Sequence, residues 1–205
     1  MDLLGTGLAP LEGGYSGETF LAEVAGERSV VRIYARTGEQ RGPNAAEIDA
    51  AVLHLVRGLL PVPEVLEVRR ADPDAATPGL LVTSFLPGER LDLLLPRADP
   101  DLRTTIGTNL GAILARLAQM PTLRAGPFID GDLRIGTWPP GATDLTEWLE
   151  ANVKDTALAD WDDGDLDRLR SVADAAQALL DTVDRTCLVH SDFNPKNLLV
   201  DPDTG

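Results

Sequence analysis

Short apolar runs rich in β-branched residues, separated by turn residues, fill the first third of the chain. Runs of this length and composition are typical of strands and too short for helices. They predict strands over residues 8–10, 19–24, 29–34, 65–68 and 80–84. Residues 44–58 predict one helix between them, because apolar residues recur there at helical spacing. The residues expected to face the core are Ile48, Val52, Leu55 and Leu59.

Helical periodicity dominates after residue 88. Helices are predicted over residues 99–117, where Asp99 can cap the first turn, and over residues 165–184, with a shorter helix from about residue 143. The residues expected to face inward are Leu102, Ile106, Leu110, Ile113 and Leu117 in the first helix and Leu166, Leu169, Val172, Ala176, Leu179 and Val183 in the second. A strand pattern returns at residues 187–190 and 198–200. The chain is therefore predicted to have an α+β fold, with a β-rich lobe over residues 1–86 and a mainly helical lobe over residues 87–205.

The composition is that of a globular protein, with 205 residues of which 43% are hydrophobic and 25% charged. No apolar run approaches the roughly 18 residues that a membrane-spanning helix needs. The N-terminus lacks the basic flank of a signal peptide, and a single cysteine, Cys187, excludes a disulfide scaffold. We therefore expect a cytoplasmic protein with no membrane partner.

The formal net charge is −15, from 18 basic and 33 acidic residues. A field of this sign repels phosphate backbones, so we expect no nucleic-acid partner. The acidic balance favours cationic ligands, although its main effect is on solubility. Only two of the basic residues are lysines, Lys154 and Lys196, which restricts any mechanism that needs a lysine.

The segment LVHSDFNPKNLLVD near the end of the chain carries the clearest chemical motif, His190-x-Asp192-x-x-x-x-Asn197. This is the spacing of a kinase catalytic loop. An aspartate at the end of a strand can accept the proton of an attacking hydroxyl, and an asparagine five residues later can offer its amide oxygen to Mg²⁺. The alternative interpretation is a polar loop in which both side chains only satisfy backbone amides.

The chain as a whole resembles the aminoglycoside phosphotransferase and choline kinase-like family of small-molecule kinases. Several motifs carry the resemblance in the family's order. The turn at residues 13–20, with Gly13, Gly14, Ser16 and Gly17, is similar to the nucleotide loop, although a plain hairpin turn is the alternative. The others are Arg32 in the run VVRI, Glu47 in the helix, Ser84 to Leu86 at the hinge and HSDFNPKN as the catalytic loop. The resemblance implies a bilobal protein-kinase-like fold.

The resemblance also implies roles for these residues, with ATP or GTP and Mg²⁺ as cofactors. Asp192 would be the catalytic base and Asn197 the metal ligand, while Ser84 and Leu86 would lie where the hinge backbone binds the base. Arg32 stands where protein kinases have a lysine, and we expect it to hold phosphates and to pair with Glu47. The implied reaction is transfer of the γ-phosphoryl group to a hydroxyl of a small molecule such as an aminoglycoside, an amino alcohol or a sugar.

The chain stops before the second metal-binding aspartate that the resemblance implies. We therefore expect a C-terminally truncated kinase, weak or inactive in this form, with an unpaired strand at residues 198–200 that is prone to self-association. The alternative is a non-catalytic module that senses nucleotide or binds a partner, in effect a pseudokinase.

Overall fold

The computed structural model describes residues 7–11, 18–24, 26–35, 42–138, 144–153 and 156–205. The chain divides into two compact units. The first contains residues 1–120, 128–134 and 188–205, and the second contains residues 121–127 and 135–187. This division differs from the predicted boundary between residues 86 and 87, which stays a prediction.

An antiparallel sheet of five strands, in the order β1-β2-β3-β5-β4, forms one side of the first unit. Its strands are β1 (Leu8–Pro10), β2 (Glu18–Val24), β3 (Glu27–Tyr34), β4 (Val65–Arg69) and β5 (Gly79–Ser84). All five predicted strands are confirmed to within two residues. In this register Arg32 of β3 lies opposite Thr19 of β2 on one side and Leu81 of β5 on the other.

Helix α1 (Ala45–Val56) packs on this sheet through small residues. Ala45, Ala46 and Ala50 form a buried cluster with Tyr34 and Leu81 of the sheet. Alanines allow the helix backbone to come close to the strands, and a Cβ at Gly79 would lie only 3.2 Å from the Ala46 Cβ.

The predicted inward stripe of this helix is mostly wrong. Of its four residues only Ile48 is buried, while the exposed fractions of Leu55 and Leu59 are 43% and 52%. The larger apolar residues do not mark the contact face here, because the helix approaches the sheet on its alanines.

A second, two-stranded sheet joins distant parts of the chain. It pairs β6 (Glu89–Arg90) with β7 (Leu199–Val200) in antiparallel register. The Leu91 N–H, at the start of the short helix α2 (Leu91–Leu94), donates to the Leu198 carbonyl at 3.0 Å. Gly88 has φ +144 at the entry to β6, and a Cβ there would lie 3.3 Å from both the Leu199 Cβ and the Val200 carbonyl oxygen. The segment after β5 is thus fixed to β7, so the strand predicted to be unpaired at residues 198–200 has a partner in β6.

Helix α3 (Pro100–Ala118) confirms its prediction closely. The Asp99 side chain caps it by accepting from the Leu102 N–H at 2.8 Å. Its inward stripe packs in two clusters, where Ile106 and Leu117 are buried and Leu102, Leu110 and Ile113 are partly buried.

Residues 187–190 do not form the predicted strand. Cys187 makes one isolated bridge to Pro121, while Leu188 donates its N–H to the Met120 carbonyl at 2.9 Å.

The second unit contains helices α4 (Leu145–Val153) and α5 (Asp163–Leu180). They are joined by an ion pair between Glu150 and Arg170, at 2.6 Å, and by a hydrogen bond from Thr146 Oγ1 to Asp174 Oδ1, at 2.8 Å. The prediction that the long helix reaches residue 184 with an inward apolar stripe is wrong. Only Leu166 of that stripe is buried, and the exposed fractions of Val172, Leu179 and Val183 are 63%, 71% and 62%.

Among the residues described above, no helix has the length and apolar character that spanning a membrane requires.

Candidate active site

The loop between Leu188 and β7 is shaped by local hydrogen bonds. Ser191 has φ +67, and the chain then forms a short 3₁₀ turn at Pro195–Asn197. Asn194 caps this turn by accepting from the Lys196 N–H at 2.9 Å, while its own N–H donates to the Asp192 carbonyl at 3.0 Å. The turn brings residues 192 and 197 back together, as the motif predicts.

Two side-chain amides hold the Asp192 carboxylate. Asn197 Nδ2 donates to Asp192 Oδ2 at 2.7 Å and to the Asp192 carbonyl at 3.0 Å, and Asn194 Nδ2 donates to Asp192 Oδ1. A carboxylate oxygen accepts more than one hydrogen bond, so the exposed Asp192 carboxylate keeps capacity for a hydroxyl. The donors fix its direction.

The amide oxygen of Asn197 faces away from Asp192, because the nitrogen of the same amide makes both hydrogen bonds to that residue. Within the described part of the chain no donor reaches this oxygen. It is a hard neutral oxygen of the kind that Mg²⁺ binds. The described residues contain no group of three or more His, Cys, Asp or Glu side chains arranged to hold a metal ion. The donor set therefore fits a metal that is held mainly by a bound phosphate and one or two protein oxygens.

The His190 side chain packs against another residue of the same loop. Its ring meets the Phe193 ring edge-on, with centroids 5.4 Å apart. The contact packs His190 against the residue that follows Asp192.

Arg32 pairs with helix α1, but not through the predicted residue. Its Nη1 lies 3.3 Å from Asp49 Oδ2, and the Tyr34 hydroxyl donates to the same oxygen at 2.6 Å. The Arg32 guanidinium also lies over the Tyr34 ring, 4.8 Å from its centroid. Among the described residues, the carboxylate of α1 that meets Arg32 is therefore Asp49, and the predicted pairing with Glu47 is wrong.

Glu47 instead meets Arg70, which follows β4, with Oε1 and Nε 2.6 Å apart. Residues 47 and 49 lie about 200° apart around a helix, so they cannot share the face toward β3. The sequence contains a feature that favours Asp49 as the partner of Arg32. Asp49 follows Ala45 by four residues and precedes Ala50, and both alanines lie on the buried face of the helix.

The segment after β5, where the resemblance implies a hinge, leaves a backbone donor available. Ser84 is occupied, since its N–H donates to the Glu64 carbonyl at 2.8 Å and its hydroxyl accepts from the Glu64 N–H at 2.9 Å. The Phe85 N–H donates to the Arg28 carbonyl at 3.3 Å. In the described residues no protein group accepts from the N–H of half-buried Leu86, so this donor is available for a ligand.

An ion pair lies where the segment after β5 meets the loop that carries Asp192 and Asn197. Arg90 donates to Asp92 in a two-pronged contact, Nε at 3.0 Å and Nη2 at 2.6 Å. These bonds hold the pKa of the Asp92 carboxyl below its usual value, with a further contribution from the positive charge of Lys196 in the loop. The predicted nucleotide-loop residues, Gly13, Gly14, Ser16 and Gly17, lie outside the described residues.

Comparisons with known proteins bear on the family and on the fold. A family model described as "Phosphotransferase enzyme family" matches residues 7–205. No curated protein matches the chain in sequence. The fold is similar to that of a GDP complex of a mutant aminoglycoside 2'-phosphotransferase-IIIa, with a TM-score of 0.70 and 17% identity over 96% of this chain and 61% of that one.

Two further solved structures resemble the chain. One is a thermostable mutant of aminoglycoside phosphotransferase APH(4)-Ia in a ternary complex with AMP-PNP and hygromycin B, with a TM-score of 0.62 and 20% identity over 95% of this chain and 62% of that one. The other is a putative aminoglycoside phosphotransferase from Ralstonia eutropha, with a TM-score of 0.60 and 20% identity over 97% and 55%. The predicted protein-kinase-like fold is confirmed by these likenesses, and the chain spans about 61% of the length of the first of these structures.

Proposed function

Because this chain belongs to the phosphotransferase enzyme family, we propose that it is the nucleotide-binding and catalytic part of a small-molecule kinase. The reaction would move the γ-phosphoryl group of ATP or GTP to a hydroxyl of the acceptor. The observation that carries this proposal is the contact between Asn197 and Asp192, because it brings an amide able to bind a metal next to a carboxylate able to accept a proton.

Asp192 would receive the acceptor hydroxyl. As the acceptor oxygen forms its bond to the γ-phosphorus, the bond from that phosphorus to the β–γ bridging oxygen breaks, and the hydroxyl proton passes to the Asp192 carboxylate. Most of the catalytic effect in such a reaction comes from positioning and charge stabilisation. The amide donors of Asn194 and Asn197, which fix the direction of the carboxylate, serve this positioning.

Asn197 would hold Mg²⁺ through its amide oxygen, together with the phosphates of the nucleotide. When bound, the metal would neutralise charge on the transferring group. Because the nitrogen of the same amide is bonded to Asp192, the side chain would present its oxygen to the metal without releasing the base.

Arg32 would bind nucleotide phosphates, since a guanidinium grips phosphate oxygens through two parallel hydrogen bonds. Asp49 and Tyr34 support this role, because the Asp49 carboxylate on α1 pairs with the guanidinium and the Tyr34 ring on β3 lies against it. The available Leu86 N–H would bind the base of the nucleotide at the hinge. Gly13, Gly14, Ser16 and Gly17 are proposed to cradle the phosphates, on the resemblance alone.

The proposed acceptor is a cationic small molecule of the aminoglycoside or amino-alcohol class. Two observations support this choice. Similar structures were determined with hygromycin B and with kanamycin bound. The chain carries a net charge of −15, which favours a polycation.

The test is label transfer from γ-labelled ATP or GTP to a panel of kanamycin, hygromycin B, choline and a neutral sugar. We expect labelled product with a cationic acceptor at a low rate, in keeping with the weak activity expected of this form, and its loss in Asp192→Asn. Asp203→Asn serves as the matched control, because it removes one carboxylate from the adjacent turn. Nucleotide binding without labelled product from any acceptor would instead support the non-catalytic module.

A further inference from the structure

A short segment of chain, Phe128–Arg134, belongs to the first unit although the residues on both sides of it belong to the second. We call this segment the strap. Its own hydrogen bonds define its shape: the Ile129 N–H donates to the Arg134 carbonyl at 3.0 Å and the Leu133 N–H to the Asp130 carbonyl at 3.0 Å. The strap is a closed loop with a fixed conformation.

Asp130 makes the strap rigid. Its Oδ1 accepts from the N–H groups of Asp132, at 3.1 Å, and Arg134, at 3.2 Å, while Arg134 Nε lies 2.5 Å from its Oδ2. Burial opposes ionisation of this carboxyl, but the bonds from Arg134 and Asp132 outweigh it and hold its pKa below the usual value. The Asp130 carboxylate is thus satisfied within the strap.

The strap contacts the N-terminal end of α1 at two points. Asn44 occupies the N-cap position of the helix, yet its side chain makes no capping bond. Its Nδ2 donates instead to the Ile129 carbonyl of the strap at 3.0 Å. A residue type that normally stabilises the helix start is therefore used to bind the strap.

Gly131 lies against Glu47 on the first turn of α1. A Cβ on Gly131 would stand 3.3 Å from the Glu47 Cβ and 3.6 Å from its Oε1, closer than ordinary side-chain contact for the first of these. The Glu47 side chain is only 16% exposed, although its ion-pair partner Arg70 is 82% exposed. The strap covers the Glu47 side chain at Gly131, which accounts for the low exposure of that side chain.

Phe128, the residue before Ile129, makes a further contact of the strap. It packs on a cluster made of Val56, Leu117 and Leu188. Val56 ends α1, and Leu188 begins the segment that leads into the catalytic loop. The strap thus contacts the first turn of α1 directly and also packs on the cluster that contains Val56.

We propose that Asn44 and Gly131 are positioning residues: by docking the strap on α1 they set the helix against β3, and so set Asp49 and the Arg32 guanidinium for phosphate binding. This inference rests on the proposed function, because it assigns Arg32 to the nucleotide. The relay is α1 itself, a rigid element whose first turn contacts the strap and whose second turn holds Arg32.

Two substitutions are expected to weaken the contact between the strap and α1 without destabilising the helix itself. Asn44→Asp keeps a side chain that is equally favoured at an N-cap but loses the donor to Ile129. Gly131→Ala adds a methyl group against Glu47 at a backbone position outside the left-handed region. Gly111→Ala in α3 is the matched control, because a Cβ there meets nothing within 4 Å.

The experiment is a double-mutant cycle on the Kd for Mg·ATP and Mg·GTP, with thermal melting of each variant to confirm folding. We expect Gly131→Ala and Asn44→Asp each to raise the Kd by about fivefold in the wild-type background and to change it little in an Arg32→Ala background. Gly111→Ala should leave the Kd unchanged in both backgrounds.

Equal effects of the strap variants in both backgrounds would overturn the inference, because the strap would then act without Arg32. An unchanged Kd in the wild-type background would overturn it as well. If the wild-type chain binds neither nucleotide, the proposed function fails and the assigned relay fails with it, an outcome distinct from the other two.

Discussion

Asn197 donates its side-chain amide hydrogen to Asp192 Oδ2 across 2.7 Å, over a loop of only five residues. The contact uses the nitrogen of the amide and leaves its oxygen facing outward. One asparagine can therefore orient the proposed base and offer a metal ligand at the same time. Asn194 completes the arrangement by donating to the other carboxylate oxygen.

Asn194→Asp tests whether the second amide orients the base. The variant retains the oxygen that caps the 3₁₀ turn but replaces the donor to Asp192 with a repelling carboxylate. We expect kcat to fall by about tenfold or more and the Kd for nucleotide to stay unchanged, because Asn194 orients the proposed catalytic base, Asp192, and does not contact the nucleotide. Steady-state kinetics and calorimetry measure the two quantities.

The control for that variant is Asn152→Asp, which makes the same change of charge on α4, where Asn152 donates to the Trp148 carbonyl at 2.7 Å. An equal loss of kcat in both variants would show that general charge, rather than the contact with Asp192, is responsible.

Asp49→Asn and Glu47→Gln form a matched pair that tests the partner of Arg32. Loss of the Asp49 charge should free the guanidinium and raise the Kd for nucleotide by about tenfold. Glu47→Gln should change it by less than about twofold, because the lost ion pair is with the exposed Arg70. Calorimetry measures both Kd values. A larger increase in Kd from Glu47→Gln than from Asp49→Asn would show that Glu47, as predicted from the sequence, is the functional partner of Arg32.

The sequence predicted the parts of the site that are local and missed those that are not. The contact of Asp192 with Asn197 follows from motif spacing within one turn, and it is present. The pairing of Arg32 depends on the rotation of α1 about its own axis. Glu47 and Asp49 are both acidic, so composition could not choose between them, and only the alanines at 45, 46 and 50 revealed the buried face.

Gly88→Ala should destabilise the first unit. The residue has φ +144, where a side chain is strained, and the new Cβ would press on Leu199 and Val200 of β7. We expect a loss of about 1–3 kcal/mol in the free energy of unfolding. Chemical denaturation measures it, with Gly107→Ala in α3 as the control, since that Cβ meets nothing within 4 Å and should raise helix stability. An unchanged free energy of unfolding in Gly88→Ala would contradict this prediction, because it would show that β6 and β7 accommodate the added methyl group.

The helices show which aspects of packing a periodic pattern can predict. In α3, large apolar residues recur at helical spacing and a cap precedes them, so both the bounds and the inward face were predicted. In α5 the same spacing gave the wrong result, since Leu179 is 71% exposed. Periodicity identifies residues that share a face, but whether another element covers that face depends on tertiary contacts that the pattern does not contain.

The Arg90–Asp92 pair predicts a dependence of stability on pH. The hydrogen bonds from Arg90 depress the pKa of Asp92 in the folded chain. The contribution of this carboxylate is therefore complete above its ordinary pKa of about 3.9 and is lost as the pH falls through the lower folded value. The difference in unfolding free energy between wild type and Asp92→Asn should be constant at neutral pH and shrink in acid. A difference that stays constant down to pH 3 or below would contradict this assignment.

The most direct test of the account is calorimetric titration of the chain with ATP and with GTP, each with Mg²⁺ and with EDTA, in wild type and in Asn197→Ala. The account predicts binding of at least one nucleotide that is stronger with Mg²⁺, and loss of that Mg²⁺ dependence in the variant while the chain remains folded. Binding that is indifferent to both Mg²⁺ and Asn197, or no binding of either nucleotide, would contradict it.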